Sequence, residues 1–421
     1  MISRPGGSGR RFADANLGRL QAVRPAYRPA ALGRFGARRG SLFARALARG
    51  SPLRSLDWVL LCAVVALTVL STLLIWSATR PELAQLGGDP QGFLKKQLLN
   101  VSIGVVLLSV VSMLDYRVLR AYAPVAYFLA CLGLLAVLTP LGATINGARS
   151  WIVIGSAIQV EPSEFVKVTL ILVVALVLGE LRDGDRAPRG RDLIIALAVS
   201  FPALALVALQ PDLSVVIVLA IIIFGMVVVS GTRLRWIAAL LLVTVVAGLL
   251  VWRLHLLKHY QIQRITAFVH PTANPRGSGY DASQALITIG SGGMFGKGLF
   301  HGAQTAGHFV PEQQTDFIFT VAGEELGFVG AIVIIALLGI VLARALRIAA
   351  NADSQFGTMI AAGVVCWFAV QAFINIGMTI GIMPVSGLPL PFVSYGGTAT
   401  FANMIAVGLL QAVHKRHTIF S

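Results

Sequence analysis

The ionisable side chains of this chain are few, and the informative ones concentrate in three short stretches. The first is EPSEFVK, residues 161–167. Glu164 and Lys167 stand three apart, so a helix places them on one face. They can form an internal ion pair or hold a diphosphate, since lysine binds phosphate as a point charge. Pro162 and Ser163 suit a helix start, with Glu164 in the first turn beside the positive end of the dipole. The second stretch is VPEQQTDFIFTVAGEELGFVG, residues 310–330. Asp316 ends a long polar segment and begins an apolar run. A carboxylate there can serve as a general base or as a helix N-cap, and Thr315 can take the cap instead. Glu324 and Glu325 follow about two turns deeper, where at least one must turn inward toward a basic partner or a helix end. The third stretch is TIGIMPVSGLPLPFVSYGGTAT, residues 379–400, which carries Ser394.

Other chemistries find less support. Arg149, Arg253 and Arg264 can meet external phosphates or lie among lipid headgroups. His255 and His259 share a helix face, but no HExxH pattern or third ligand follows, so the metal question stays open. Mg²⁺ or another divalent cation can still bridge a diphosphate and a carboxylate without a full protein cage. No GxxxxGK[ST] loop exists, which argues against direct use of ATP. Ser163 and Ser394 lie in irregular segments, but no histidine falls inside an apolar block to activate them. Cys62, Cys131 and Cys366 all lie in apolar blocks and form no CxxC pair.

Composition says what must position these groups. Hydrophobic residues make up 56% of the 421 and charged residues 12%, against about 25% charged in an ordinary soluble domain. This excludes a simple soluble enzyme or a disordered chain. Ten apolar blocks have membrane length, near 58–78, 94–114, 121–139, 163–180, 192–209, 213–230, 234–252, 317–343, 356–380 and 396–413. They must be helices, because unsatisfied backbone is too costly in lipid and barrel alternation is absent. The expected fold is an all-α polytopic membrane protein with about ten transmembrane helices. The segment 151–158 is too short to span and reads as a half-helix that dips in and returns. Most of the 34 basic residues fall on one side, which the positive-inside rule assigns to the cytoplasm together with both termini. Residues 1–56 read as a basic, disordered cytoplasmic tail, 57–414 as the membrane domain and 415–421 as a short C-terminal tail. The tail brings no aromatic stacking platform, so no nucleic-acid partner is expected.

A long external connection, residues 253–316, joins helices seven and eight. It has periodicity for short amphipathic helices and a glycine-rich stretch from Gly277 to Gly307, suited to tight turns and close backbone approach. The interrupted segment 379–400 survives at membrane depth only when buried in protein or lining a wet cavity. These segments, the EPSEFVK stretch and the turn holding Gln210 and Asp212 all emerge on the same external side. Polar groups therefore converge on a single mouth.

EPSEFVK (161–167), GSGYDASQALITIGSGGMFGKG (277–298), VPEQQTDFIFTVAGEELGFVG (310–330) and PVSGLPLPFVSYGGTAT (384–400) occur in this order. Together they resemble the signatures of the SEDS family, the membrane proteins of shape, elongation, division and sporulation. The resemblance runs from about Asp57 to Ala412. It implies a peptidoglycan glycosyltransferase in the bacterial plasma membrane, using lipid II and a nascent glycan strand. It also implies a class B penicillin-binding protein as transpeptidase partner within the elongation machinery. GKGLFHGAQT and PVSGLPLPF resemble the elongation branch, typified by RodA, more than the division branch, typified by FtsW; an extension before the first span is commoner in the latter. The family's essential carboxylate falls on Asp316, and its functionally important charged pair on Glu164 and Lys167. Glu161 stands where glutamine is frequent and Thr398 where serine is. From the residues alone, a lipid-linked precursor flippase competes with the enzyme.

Overall fold

The computed structural model describes residues 55–145, 148–154, 158–180, 187–255, 257–270 and 277–420. Nearly all of the basic tail expected over 1–56 lies outside these residues, as do Arg182, Arg186 and the side chains of Arg149 and His259.

Every apolar block is helical. Along the chain run α1 (Trp58–Gln85), α2 (Gly92–Met113), α3 (Tyr116–Leu138), α4 (Pro162–Gly179), α5 (Gly190–Leu209), α6 (Leu213–Val229) and α7 (Leu234–Arg253). The loop that follows holds α8 (His259–Val269), α9 (Ser278–Ser291) and α10 (Ala303–Ala306). Then come α11 (Ile318–Glu325), α12 (Gly327–Ala350), α13 (Gln355–Thr379) and α14 (Gly397–Phe420). Among the described residues, eight helices are long and apolar enough to cross a membrane: α1 to α5, α7, α12 and α13. The apolar α6 has 17 residues. The protein is an all-α polytopic membrane protein in its architecture.

One expectation fails. Residues 151–154 and 158, the described part of the expected half-helix, are strand instead. They belong to a small antiparallel sheet in the order β1 (Gly142–Ile145), β2 (Ala148–Ile154), β3 (Ile158–Val160). The run WIVI is β-branched and aromatic. Its backbone groups pair with two neighbouring strands, which satisfies them as fully as a helix would.

Two helices form the centre. Most residues of α4 and α13 are buried, and the two pack on each other, with α13 also lying against α6 and α12. Both carry polar residues in their interior turns, and such residues in a span are turned into the bundle. By contrast α7 has no buried residue, and Leu242, Val243 and Leu249 are exposed along it. At the end away from the cleft described below, Asp57 caps α1, donates its backbone N–H to Gln411 Oε1 and pairs with Arg344 at 2.7 Å.

The expected eighth span is broken between α11 and α12. Gly327 has φ +69 there, and the glycine-rich turn 292–298 docks on the break through backbone hydrogen bonds. Phe328 and Val329 donate to Gly293 and Met294, while Lys297 and Gly298 donate to Glu324 and Glu325, all at 3.0–3.1 Å. A Cβ on Gly296 would collide with the Glu325 carbonyl, and Gly296 itself has φ +77. Close backbone approach explains Gly292, Gly296 and Gly327. Gly296→Ala meets both a clash and a left-handed backbone, costing about 2–4 kcal/mol. Thermal unfolding of the purified variant is expected to show a midpoint several degrees lower; an unchanged midpoint contradicts this packing.

Candidate active site

A cleft of about 790 Å³ opens where the loop 253–316, the sheet and the interrupted segment between α13 and α14 meet. Its lining has two characters. Phe93, Leu99, Ile103, Ile217 and Phe401 make an apolar wall from α2, α6 and α14. Asp316, Arg264, Glu312, Asp212, Glu161 and Lys96 bring ionisable groups to the other parts.

Asp316 is held by its backbone. The Glu312 carbonyl gathers the amides of Thr315, Asp316 and Phe317 at 3.1–3.3 Å, forming a tight turn before α11. The Asp316 carbonyl accepts from Asn375 Nδ2 at 2.7 Å, which ties the turn to α13. The N-cap of α11 is Phe317, without a side-chain cap bond, so Asp316 is not spent as a helix cap. Its partly exposed carboxyl faces the cleft. The surrounding protein strips water from it and raises its pKa to about 7; Glu312 and Asp212 add to the rise, while Arg264 and a bond from Thr315 oppose it. Burial disfavours the charged form of any carboxyl group, which is why it leads here.

Arg264, on α8, is the cation at this carboxyl. Its Nη1 donates to the Ser386 carbonyl at 3.2 Å, and its guanidinium lies over the Tyr260 ring at 5.8 Å. Gly387 lies beside both groups. A Cβ there would stand 3.5 Å from Asp316 Oδ2 and 3.8 Å from Arg264 Nη1, and its φ is +75, a backbone region that favours glycine. Helix α8 is anchored by Tyr260 Oη and Gln261 Nε2, which both donate to the Pro211 carbonyl.

A second acidic pair lines the same cleft. Asp212 caps α6 by accepting from Val215 N at 3.2 Å. Burial raises its pKa, partly opposed by that bond, Lys167 and Arg264. Glu161 accepts from Ser163 Oγ at 2.7 Å. Burial, with Glu164 and Asp212 nearby, pushes it up to about 8, so it is largely protonated at neutral pH.

The other expected residues fall elsewhere. Lys167 and Glu164 form an ion pair at 2.7 Å with both side chains essentially inaccessible, at 0% and 1% exposure. Lys167 also donates to Gln371 Oε1 at 3.0 Å and lies over the Trp367 ring at 5.0 Å. The pair does not line the cleft; of the two roles open to it in the sequence, this geometry is that of the internal ion pair. Glu324 turns away from Asp316 and accepts from Gln304 N, Thr305 N and Thr305 Oγ1 at 2.7–2.9 Å and from Lys297 at 3.0 Å. It organises the loop, and the acidic neighbour of Asp316 is Glu312. Ser394 Oγ accepts from Leu390 N at 2.7 Å and stays within its own turn. Arg253 is exposed at the end of α7 and does not line the cleft.

Of the expected residues whose side chains are described, Asp316 and Arg264 line the cleft. Glu312, Lys96 and Asn375 escaped the sequence because each reads there as an ordinary loop, interface or span residue. Asp212 and Glu161 were visible in the sequence as an outward turn residue and a departure from the family pattern, but their desolvation was not. Among the described residues, no three His, Cys, Asp or Glu side chains come together to hold a metal.

Comparison with known proteins places the chain. The model of a family of cell cycle proteins named for FtsW, RodA and SpoVE matches residues 57–419. The peptidoglycan glycosyltransferase MrdB of Escherichia coli is 36% identical over 87% of this chain and 95% of its own length. Stage V sporulation protein E of Bacillus subtilis is 35% identical over 85% and 97%. A chain from a structure of a peptidoglycan synthase complex, described as coordinating polymerization and crosslinking, superposes with a TM-score of 0.70 at 29% identity, covering 86% of this chain and 98% of the other. The rod shape determining protein RodA of Thermus thermophilus superposes with a TM-score of 0.62 at 29% identity over 86% and 97%. The chain belongs to the FtsW/RodA/SpoVE family of SEDS membrane proteins.

Proposed function

We propose that this protein is a peptidoglycan glycosyltransferase that polymerises lipid II, with Asp316 as the general base. The observation that carries the chemistry is one carboxyl group, facing a cleft, with its pKa raised to about 7 and an arginine beside it. A base is most useful when its pKa lies near the working pH. The apolar wall of the cleft suits a prenyl chain that stays in the bilayer, while the polar part takes sugars and diphosphate.

In this reading the 4-hydroxyl of the acceptor's GlcNAc attacks C1 of the donor's MurNAc. Asp316 takes the hydroxyl proton as the new bond forms. The bond from C1 to the diphosphate oxygen breaks, and undecaprenyl diphosphate leaves with the electron pair. One displacement inverts C1 and gives a β-1,4 link. The departing oxygens develop charge, and Arg264 is placed to offset it. Glu161 is a further carboxyl of the cleft, beside Asp212, with its proton held to about pH 8. A protonated acid is a poor nucleophile, which favours the direct displacement over a covalent intermediate. A divalent ion would have to draw ligands from the diphosphate itself, and no step here depends on one.

Further parts of the reading rest on the sequence. Ten spans follow if α6 and α14 cross with the other eight. The arginine bias then sets both termini in the cytoplasm and the cleft at the outer face of the plasma membrane. The expected partner is a class B penicillin-binding protein. The likeness to MrdB and RodA, with the GKGLFHGAQT and PVSGLPLPF wording, supports a role in elongation.

Purified Asp316→Asn protein, given lipid II, is expected to form glycan ladders at least about 100-fold more slowly than wild type. Wild-type ladders from that variant end the base assignment, and lipid II flux across vesicles without polymer would favour a flippase. The wild-type rate should rise with pH as Asp316 ionises and level off above about 7. Glu312→Gln removes a negative neighbour, lowers the pKa of Asp316 and moves this limb to lower pH. Arg264→Gln removes the positive neighbour, moves the limb to higher pH and slows the plateau on the order of 100-fold. Rate–pH profiles of the three proteins check the signs, and a limb that stays fixed in both variants contradicts them.

A further inference from the structure

The segment between α13 and α14 crosses the protein as an extended strap, and its carbonyls are satisfied largely by side chains from neighbouring helices. Ser386 O accepts from Ser214 and Arg264, and Val393 O accepts from Ser71. Among the described residues, the carbonyls in the middle of the strap are held by α13. Asn375 Nδ2 donates to Leu388 O at 2.7 Å, and Gln371 Nε2 donates to Pro389 O at 2.7 Å. The two amides stand four residues apart, about one turn of the helix, and grip adjacent carbonyls.

Each amide has a second attachment. Asn375 Nδ2 also donates to the Asp316 carbonyl at 2.7 Å, while its buried Oδ1 has no hydrogen-bond partner. Only the donor half of this side chain is used, and it joins the Asp316 turn to the strap. Gln371 Oε1 accepts from Trp367 Nε1 at 2.6 Å and from Lys167 Nζ at 3.0 Å. Lys167 is fixed in turn by Glu164. A continuous set of bonds therefore runs from the buried ion pair through Gln371 to Pro389, and from Leu388 through Asn375 to Asp316. Between Ser386 and Leu388 lies Gly387, the residue packed beside both Asp316 and Arg264.

We propose that Gln371 and Asn375 are a pair of positioning residues, an amide clamp that sets the distance between Asp316 and Arg264. The proposal rests on the general-base reading above and explains the buried Lys167–Glu164 pair, which orients the Gln371 amide so that its NH₂ faces the strap. Neither clamp residue touches the reacting atoms. If the clamp lets go, the strap shifts, Ser386 carries Arg264 with it, and Asp316 loses its backbone tether. A misplacement of about 1 Å can cost on the order of 100-fold in rate. The charged and polar groups facing Asp316 are Glu312 and Thr315 on its own turn, Arg264 on α8 and Asp212 at the start of α6. Of these, only Arg264 is bonded to the strap, so its withdrawal has a definite sign: Asp316 loses a positive neighbour and holds its proton more tightly.

The test uses full-length protein, lipid II and initial rates of polymerisation, normalised to folded protein by thermal unfolding. The variants are Gln371→Met, Asn375→Leu, the double variant and Gln371→Glu, which keeps the acceptor for Lys167 and Trp367 but lacks the NH₂. Each single variant is expected to lower kcat by about 100-fold, with KM for lipid II within about twofold and the acid limb moved to higher pH. The double variant should be no slower than the slower single one, since one broken point frees the strap, and Gln371→Glu should match Gln371→Met. The clamp is overturned if the folded single variants keep wild-type kcat and limb, or if the losses multiply in the double variant with the limb fixed. Asp316→Asn, run alongside, separates the two ideas. Polymerisation by that protein sinks the base assignment, whereas an inactive Asp316→Asn beside wild-type clamp variants sinks only the clamp.

Discussion

The site depends on a division of labour within one residue. The main chain of Asp316 is fixed by Glu312 and Asn375, and its side chain is left free in the cleft. Had the carboxylate capped α11, the helix end would have consumed it and held it ionised. Phe317 takes the cap position instead. Desolvation can then raise the carboxyl toward neutrality, while Arg264 keeps the rise within useful bounds. A base that is basic enough to take a proton, yet ionised in an appreciable fraction near neutral pH, follows from that placement.

The same logic governs the surrounding membrane domain. Lipid offers no hydrogen bonds, so an interrupted segment at depth must find partners within the protein. The strap finds them in Ser71, Ser214, Arg264, Gln371 and Asn375, drawn from α1, α6, α8 and α13. The polar residues of the central helices α4 and α13 thus hold the strap that edges the cleft. Helix α7, with no buried residue, is the contrasting case.

Much of this was legible in the sequence. The ten apolar blocks marked the helices because burial in lipid demands a continuous run, and the broken segment 379–400 marked a place buried in protein or lining a cavity, because lipid itself does not tolerate it. Asp316 stood out by ending a polar loop. The face that each residue turns was less legible. Spacing paired Glu164 with Lys167 but could not show that both are sealed from the cleft. Glu324 read as turning toward a basic partner or a helix end, without showing which; it meets Lys297 and the first amides of α10. Asn375 and Gln371 are amides in an apolar helix, and only the strap reveals what they hold. The strands at 142–160 were missed because a short apolar run has no period that separates strand from helix.

The central claim is that one carboxyl group facing the cleft titrates near neutrality. Infrared difference titration of the protein in lipid bilayers tests it directly, by subtracting Asp316→Asn spectra from wild type across the pH range. The account predicts a protonated carboxyl band, absent from the variant, that disappears with a midpoint of about 7. A difference band that titrates in the ordinary aspartate range, or no band at all, would contradict it.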